Sequence, residues 1–280
     1  MPGFDMHVHS TASDGTLDVD EIINLAIYTG LEGIALTDHD TIGGLERAEA
    51  LGHKLGYPVI PGIELSTEHQ DQEIHILGYL FDYRLPRVLE KLQELQDARV
   101  SRIIKMVDKL SQLGYHVDKE EVFELAGSGS VGRPHIAYVL LKKGYISSIQ
   151  EAFQRLIGRG CSAYIPRFKL SPVEAIAFIR EAGGIPVMAH PGLSSSDQLI
   201  PLLLEHGLMG IEVFHPDHKP EDEVRYLDMA AKYHLIVTGG SDFHGYKEGN
   251  RCSLGCKTVS PEILSQLKFR KQMEKNNENF

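Results

Sequence analysis

The sequence predicts an α/β barrel carrying a small helical insertion, and three observations support that reading. Short apolar runs of strand length begin near residues 4, 33, 59, 74, 185, 210 and 235, most of them followed by a segment of helical periodicity. Nearly every run ends on, or carries, a histidine or an acid. From about residue 89 to about 165 the pattern is helical only. A chain of 280 residues is long enough for one large α/β domain with such an insert.

The first run is Phe4-Asp5-Met6-His7-Val8-His9-Ser10, continuing to Asp14-Gly15. Side chains two apart along a strand share a face, so His7 and His9 aim both imidazoles at one point beyond the strand's end. A helix follows: Asp18 and Glu21 have capping-box spacing, and Val19, Ile22, Ile23, Ala26 and Ile27 recur at helical intervals until Gly30. Gly33-Ile34-Ala35-Leu36-Thr37 is a buried strand that delivers Asp38-His39-Asp40. The helix after it, roughly Gly44 to Leu55, stops at Gly56 and Pro58. Val59 to Ile63 then leads to Glu64, and the run Ile74 to Tyr79 carries His75.

A long helix from about Leu89 has Leu92, Leu95, Val100, Ile103, Ile104, Val107 and Leu110 as its apolar positions, and shorter helices interrupted by Gly127-Ser128-Gly129-Ser130 complete the insert. This segment reads as a small helical domain sitting over the main one. The βα rhythm resumes at Ser171-Pro172, where proline opens a helix and Glu174 lies in its first turn. Three further strands end on His190-Pro191-Gly192, on His215 and on Ser241-Asp242-Phe243-His244. The expected division is therefore barrel over 1–97, insert over 98–170, barrel over 171–270 and a fraying polar tail over 271–280.

The formal charge of −11 argues against a broad basic surface for nucleic acid, while leaving room for a phosphorylated ligand in a local basic pocket. No run approaches the ~20 apolar residues of a membrane span, and the N-terminus lacks the pattern of a secretory signal. The chain is expected to be cytoplasmic. Three cysteines, Cys161, Cys252 and Cys256, fit a reducing compartment. The last two are expected to be ordinary thiols, since a zinc clip would need a second pair.

In an α/β barrel the carboxyl ends of the parallel strands face one rim, so residues remote in sequence converge there. Taken singly, His75 reads as a core histidine, Glu64 as a rim ion pair and Asp242 as a helix cap. Their shared placement at strand ends reads instead as one site. Imidazoles and carboxylates suit Mn²⁺, Fe²⁺ or Zn²⁺. Nine or so donors exceed the needs of one ion, which implies two or three divalent ions with a carboxylate such as Glu64 bridging neighbours. Ions about 3.5–4 Å apart can hold a bridging hydroxide and neutralise charge on a phosphoryl oxygen.

His7-x-His9, Asp14-Gly15, Thr37-Asp38-His39-Asp40, Gly62-Ile63-Glu64, His75, Ala189-His190-Pro191 and Gly240-Ser241-Asp242-Phe243-His244 together resemble the motifs of the PHP (polymerase and histidinol phosphatase) family. The resemblance covers the chain apart from the insert and the tail, and implies a distorted, TIM-like (β/α)7 barrel. It implies one ion on His7, His9, Glu64 and Asp242, a second on Glu64, His75 and His190, and a third on Asp14, His39 and His244. His215, at the next strand end, reads either as a contact to substrate or a metal-bound water, in a catalytic role, or as an ordinary surface histidine.

Length and insert resemble the TrpH/YciV-like branch, which includes 3′,5′-nucleotide bisphosphate phosphatases and 5′-to-3′ exoribonucleases acting on short RNA. The expected substrate is accordingly a nucleoside bisphosphate or short oligonucleotide, cut by a metal-bridging hydroxide attacking phosphorus. Arg99 and Arg102, three apart on one helical face, and Arg133 and His135 in Gly132-Arg133-Pro134-His135 are candidates to hold a further phosphate. Arg159 and Arg167 are weaker candidates. Rival readings are a histidinol-phosphate phosphatase, an amidohydrolase and a noncatalytic sensor. The barrel amidohydrolases commonly place a bridging lysine at a strand end, and none of these strand ends offers one.

Overall fold

A computed structural model of the chain describes residues 3–127, 129–166, 169–245 and 252–277. Seven strands form one sheet in sequence order: β1 (Phe4–Val8), β2 (Gly33–Leu36), β3 (Val59–His69), β4 (Gln72–Tyr79), β5 (Ile185–Met188), β6 (Gly210–Phe214) and β7 (Ile236–Gly239). The sheet nearly closes into a barrel. Past the end of β7, Phe243 bridges Val8 in parallel, and the His9 N–H donates to the Phe243 carbonyl at 2.9 Å.

Helices follow most of the strands. α1 (Val19–Tyr28) starts at a full capping box, in which Asp18 and Glu21 each accept the other's backbone N–H at 2.8 Å. α2 (Leu45–Leu55) ends at Gly56, whose φ of 64° is the left-handed stop that glycine adopts without a Cβ clash. α7 (Pro172–Glu181) opens as its Ser171-Pro172 signal predicts, with Ser171 and Glu174 forming a second box. α8 (Pro191–Ser194), α9 (Ile200–Glu205), α10 (Pro220–Tyr233) and α11 (Glu262–Asn277) complete this part of the chain. Phe4, Met6, Leu77, Tyr79, Ile185 and Val187 from the sheet pack with Ile263 and Leu267 of α11 in one apolar cluster. None of the described helices is long and apolar enough to cross a membrane.

The chain divides into two compact units, Met1–Leu89 with Leu170–Phe280, and Glu90–Lys169. The first division falls inside α3 (Pro86–Gln112), so the boundary drawn at 97/98 also lies within one continuous helix. The second unit contains the rest of α3 with α4 (Lys119–Ala126), α5 (Arg133–Lys142) and α6 (Ile149–Ala152), the last running into a π-helical turn, Phe153–Ile157. It has its own core, built from residues such as Ile103, Met106, Leu110, Ile136, Leu140 and Ile157.

Four local expectations are corrected. β4 runs antiparallel to both neighbours, because β3 turns directly into it as a hairpin with no intervening helix. His75 therefore reaches the site from the first half of its strand. Cys252 and Cys256 are joined by a disulfide, since the turn through Gly255 (φ 78°) brings their Cα atoms to 5.8 Å, a separation a disulfide spans. The segment expected to fray continues α11 as far as Asn277, tied down by an Arg180–Glu274 ion pair at 3.2 Å and by Lys271 donating to the Leu80 carbonyl. Val100 is exposed, and Met106, outside the predicted apolar set, is fully buried on α3.

Candidate metal centre

The site begins with the alternation of β1. His7 and His9 are wholly buried and share one face. The β1 register shifts between Asp5 and Val8, a bulge of the kind that re-aims side chains beside functional sites. Next to them, the register of β2 on β3 continues past the strand end, so that His39 bridges Glu64. The hairpin brings His75 alongside, and Ala189, bonded to the His75 carbonyl at 3.0 Å, carries the chain into His190. Asp242 and His244 follow β7 on the segment that closes the barrel.

Glu64 is the hub. Its Oε2 lies 3.2 Å from His7 Nε2, 3.3 Å from His9 Nε2 and 3.0 Å from His39 Nδ1, while its Oε1 lies 2.7 Å from His75 Nδ1 and 3.1 Å from His190 Nε2. Asp242 Oδ1 stands 3.4 Å from His7 Nε2 and 3.1 Å from His9 Nε2. On the outer side, His244 Nε2 is 3.2 Å from Asp14 Oδ1, and the His244 ring stacks on His9 at 4.1 Å. All nine donors singled out in the sequence thus fall in one cluster.

Among the described residues, three donor sets have their ligand atoms mutually within 4.8 Å: His7, His9, Glu64 and Asp242; His39, Glu64 and His75; and His9, Asp14, His39 and His244. His9 and His39 each belong to two sets, a sharing that the partition by resemblance lacks.

Six buried atoms in this cluster have no hydrogen-bond partner: His7 Nε2, both ring nitrogens of His9, His39 Nδ1, His75 Nε2 and Glu64 Oε2. His7 Nε2, His9 Nε2 and His39 Nδ1 face Glu64 Oε2 at 3.0–3.3 Å without hydrogen-bond alignment, while His9 Nδ1 faces Asp14 at 3.9 Å and His75 Nε2 faces Glu73 at 3.5 Å. Buried polar atoms are rarely left so, because each costs the desolvation of an unpaired group. Imidazole nitrogens and carboxylate oxygens facing one another in this way fit divalent cations.

Charge follows the same arrangement. Burial opposes the ionised form of Glu64, but the His39, His75 and His7 rings hold it well below the ordinary carboxylate range. Burial also lowers His9 and His75, yet the carboxylates beside them win and raise both to about 10. His39 drops to about 4, because burial is reinforced by its cationic neighbours His9 and His75. In the absence of cations the cluster therefore holds protons in their place.

Some residues that shape the centre lie outside the nine predicted ligands. Glu212 is fully buried on β6 and accepts hydrogen bonds from His7 Nδ1 and the His190 N–H. Asp38 accepts from the Ser10 N–H at 2.7 Å and the Ser13 hydroxyl at 2.6 Å, pinning the loop that carries Asp14. Asp40 accepts from the Ser66 N–H at 3.0 Å. Asp5 accepts from the backbone of Ser241 and Gly255, and burial still raises its carboxyl to about 6. For Glu212 and Asp5 the legible signal is an acid inside an apolar run, as in Gly210-Ile211-Glu212-Val213-Phe214, since a buried acid needs partners.

His215 is buried, and its Nε2 lies 3.4 Å from Asp242 Oδ2. Its Nδ1 accepts the Asp217 N–H, which leaves the proton on Nε2 facing that carboxylate.

Within the second unit, Arg102 donates from Nε to the Ile165 carbonyl at 2.7 Å and lies over the Tyr164 ring. Arg133 opens α5 and packs on Phe153. His135 Nδ1 accepts the Gly132 N–H at 3.0 Å, so its Nε2 carries a proton. An Arg99 guanidinium nitrogen lies 3.9 Å from where a Cβ on Gly132 would stand, which places Arg99 beside this turn. Arg159 is engaged in interactions of its own, and Arg167 lies outside the described residues.

The PHP domain model matches residues 5–159. The chain is 36% identical over 247 residues to a phosphoribosyl 1,2-cyclic phosphate 1,2-diphosphodiesterase of Eggerthella lenta, an alignment covering 86% of this chain and 94% of that one. It is 34% identical to a 5′-3′ exoribonuclease of Haemophilus influenzae, covering 86% and 89%. With a 3′,5′-nucleoside bisphosphate phosphatase of Chromobacterium violaceum the identity is 30%, covering 90% of each. A crystal structure from Bifidobacterium adolescentis, assigned as a metal-dependent phosphoesterase, superposes with a TM-score of 0.85 at 31% identity, covering 96% of each chain. The chain belongs to the PHP domain family and is a metal-dependent hydrolase of phosphate esters.

Proposed function

We propose that this chain hydrolyses a phosphate ester of a nucleotide, either a nucleoside 3′,5′-bisphosphate or the 5′ end of a short oligonucleotide. His7, His9, Asp14, His39, Glu64, His75, His190, Asp242 and His244 would hold two or three divalent ions. The observation that carries the reading is the set of buried ligand atoms without hydrogen-bond partners, three of whose ring nitrogens, on His7, His9 and His39, face the equally unsatisfied Glu64 Oε2. Divalent ions held there supply Lewis acidity toward the phosphoryl oxygens and activation of water.

The protein's own groups supply the rest. Glu64, with an oxygen facing each side of the cluster, sets the spacing of the donors. Asp14 and His244 stand at the outer rim, where the Asp14 side chain is 46% exposed and solvent enters. His215 presents its Nε2 proton beside Asp242, positioned to hydrogen-bond a phosphoryl or leaving-group oxygen there. Arg99, Arg133 and His135 offer two guanidinium groups and an imidazole N–H around one turn, donors that match the oxygens of a second phosphate. Arg102 is largely committed to its own unit.

A cyclic ribose phosphate diester is a second reading, favoured by the 36% identity to the Eggerthella lenta diesterase. The deciding experiment offers the Mn²⁺-loaded protein adenosine 3′,5′-bisphosphate, a 5′-phosphorylated RNA pentamer, phosphoribosyl 1,2-cyclic phosphate, histidinol phosphate and a simple amide. Release of phosphate or mononucleotide from the first two at the highest kcat/KM is expected. Preference for the cyclic diester selects the second reading, and turnover of histidinol phosphate or the amide alone overturns both.

A further inference from the structure

We propose that Glu212 is a positioning residue that fixes the spacing of the ion sites by gripping His7 and His190 together. The inference rests on the donor cluster being a metal centre. Glu212 is 0% exposed on β6. His7 Nδ1 lies 3.0 Å from its Oε1 and 3.3 Å from its Oε2, and the backbone nitrogen of His190 lies 2.8 Å from the same Oε2. One side chain thus ties β1 to the end of β5, strands that do not pair with each other.

Both ends of the grip need it. A proton on His7 Nδ1, donated to Glu212, leaves the Nε2 lone pair facing Glu64 and Asp242. His190 has φ 24° and ψ 59°, a left-handed conformation that a residue with a Cβ seldom holds unaided. The N–H it gives to Glu212 steadies that conformation, which in turn directs its Nε2 to Glu64 Oε1 at 3.1 Å. The two gripped rings lie nearly parallel, 5.8 Å apart. Moreover, β1 is irregular between Asp5 and Val8 and β6 between Glu212 and Phe214, so the backbone bulges on both sides of the contact.

The chemistry predicts which substitution is informative. Glu212→Gln keeps the shape but has one acceptor oxygen for two donors. Its amide NH₂ must face either the His190 N–H or His7 Nδ1. In the second case His7 moves its proton to Nε2 and loses the lone pair it offers to the cluster. Glu212→Ala removes both contacts without setting donor against donor.

The test strips wild type, Glu212→Gln and Glu212→Ala with a chelator and titrates each with Co²⁺. Stoichiometry and the visible absorption of bound Co²⁺ are followed, with far-UV circular dichroism reporting the fold. Hydrolysis of bis-p-nitrophenyl phosphate with Mn²⁺ gives kcat and KM. The expected result is a folded Gln variant that binds Co²⁺ about 10–100-fold more weakly, with an altered spectrum and a fall in kcat larger than any rise in KM. Gln and Ala variants with wild-type affinity and spectrum would overturn the inference while leaving the metal centre intact. A wild type that binds no Co²⁺ would overturn the metal centre and this inference together.

Discussion

His75 Nδ1 lies 2.7 Å from Glu64 Oε1 although the two are not paired across their hairpin: Glu64 faces Leu77, and His75 faces Ser66. They meet on the diagonal, a separation that long side chains bridge on one face of an antiparallel pair. One hairpin therefore delivers both the central carboxylate and a histidine that approaches it from the strand running the other way. Replacing Glu64 by Ala removes the oxygens that five imidazoles face. The expected outcome is a loss of bound metal and a fall in kcat by more than about 100-fold, read by elemental analysis and steady-state kinetics. Full metal content in Glu64→Ala would refute the central role given to this residue.

Ion binding should displace protons. With no cation present, His9 and His75 are raised to about 10, with burial opposing the charge and the Glu64, Asp242 and Glu73 carboxylates prevailing. At pH 7 both are protonated, and a divalent ion must expel those protons to use the same nitrogens. Affinity for Mn²⁺ should therefore rise with pH, with protons released on binding, as calorimetry in buffers of different ionisation enthalpy would measure. Binding at pH 7 with no proton release would contradict this.

The same shift has a consequence for stability. These histidines have folded values above the unfolded value of 6.5. Their contribution to the ion-free protein is complete below pH 6.5 and is lost as the pH rises toward 10. Urea unfolding of chelator-treated protein at pH 6, 8 and 10 should show that decline, and the ion-loaded protein should show less of it.

The arginines of the second unit are expected to behave differently from one another. Arg133→Ala should raise KM for adenosine 3′,5′-bisphosphate about 10-fold, the loss of one charge-assisted hydrogen bond of roughly 1.5 kcal/mol. Its kcat toward p-nitrophenyl phosphate, which has no second phosphate, should stay within about twofold of wild type. Arg102 donates to the Ile165 carbonyl, so Arg102→Ala should lower the melting temperature more than it changes KM. Unchanged bisphosphate kinetics in Arg133→Ala would remove this residue from the binding site.

Gly240 reports how tightly the barrel closes. A Cβ built there would lie 2.4 Å from the His7 nitrogen and 2.5 Å from its Cβ, a clash with backbone that no rotamer relieves. Gly240→Ala should destabilise the fold by about 1–3 kcal/mol and weaken metal binding through displacement of His7. Denaturant unfolding and Co²⁺ titration measure the two effects, and a variant unchanged in both would show that β1 has room to move.

Much of the frame is legible in local pattern. Apolar runs mark the strands, and the Asp18–Glu21 and Ser171–Glu174 spacings mark helix starts that the structure builds as capping boxes. Less legible is whatever depends on a partner elsewhere. Ile74 to Tyr79 looks like any other buried strand, and its direction is set by a hairpin that begins at residues the pattern leaves undefined. Cys252 and Cys256 look like two thiols until the turn between them is fixed.

By itself the sequence determined the kind of chemistry: histidines and acids at the ends of buried strands, with the family motifs around them. The tertiary structure decided which of these side chains lie together, and set the Glu212 carboxylate, 205 positions from His7, against that ring at 3.0 Å. Periodicity is written by near neighbours along the chain. A contact between remote side chains exists only once strand register and barrel closure have set their distance.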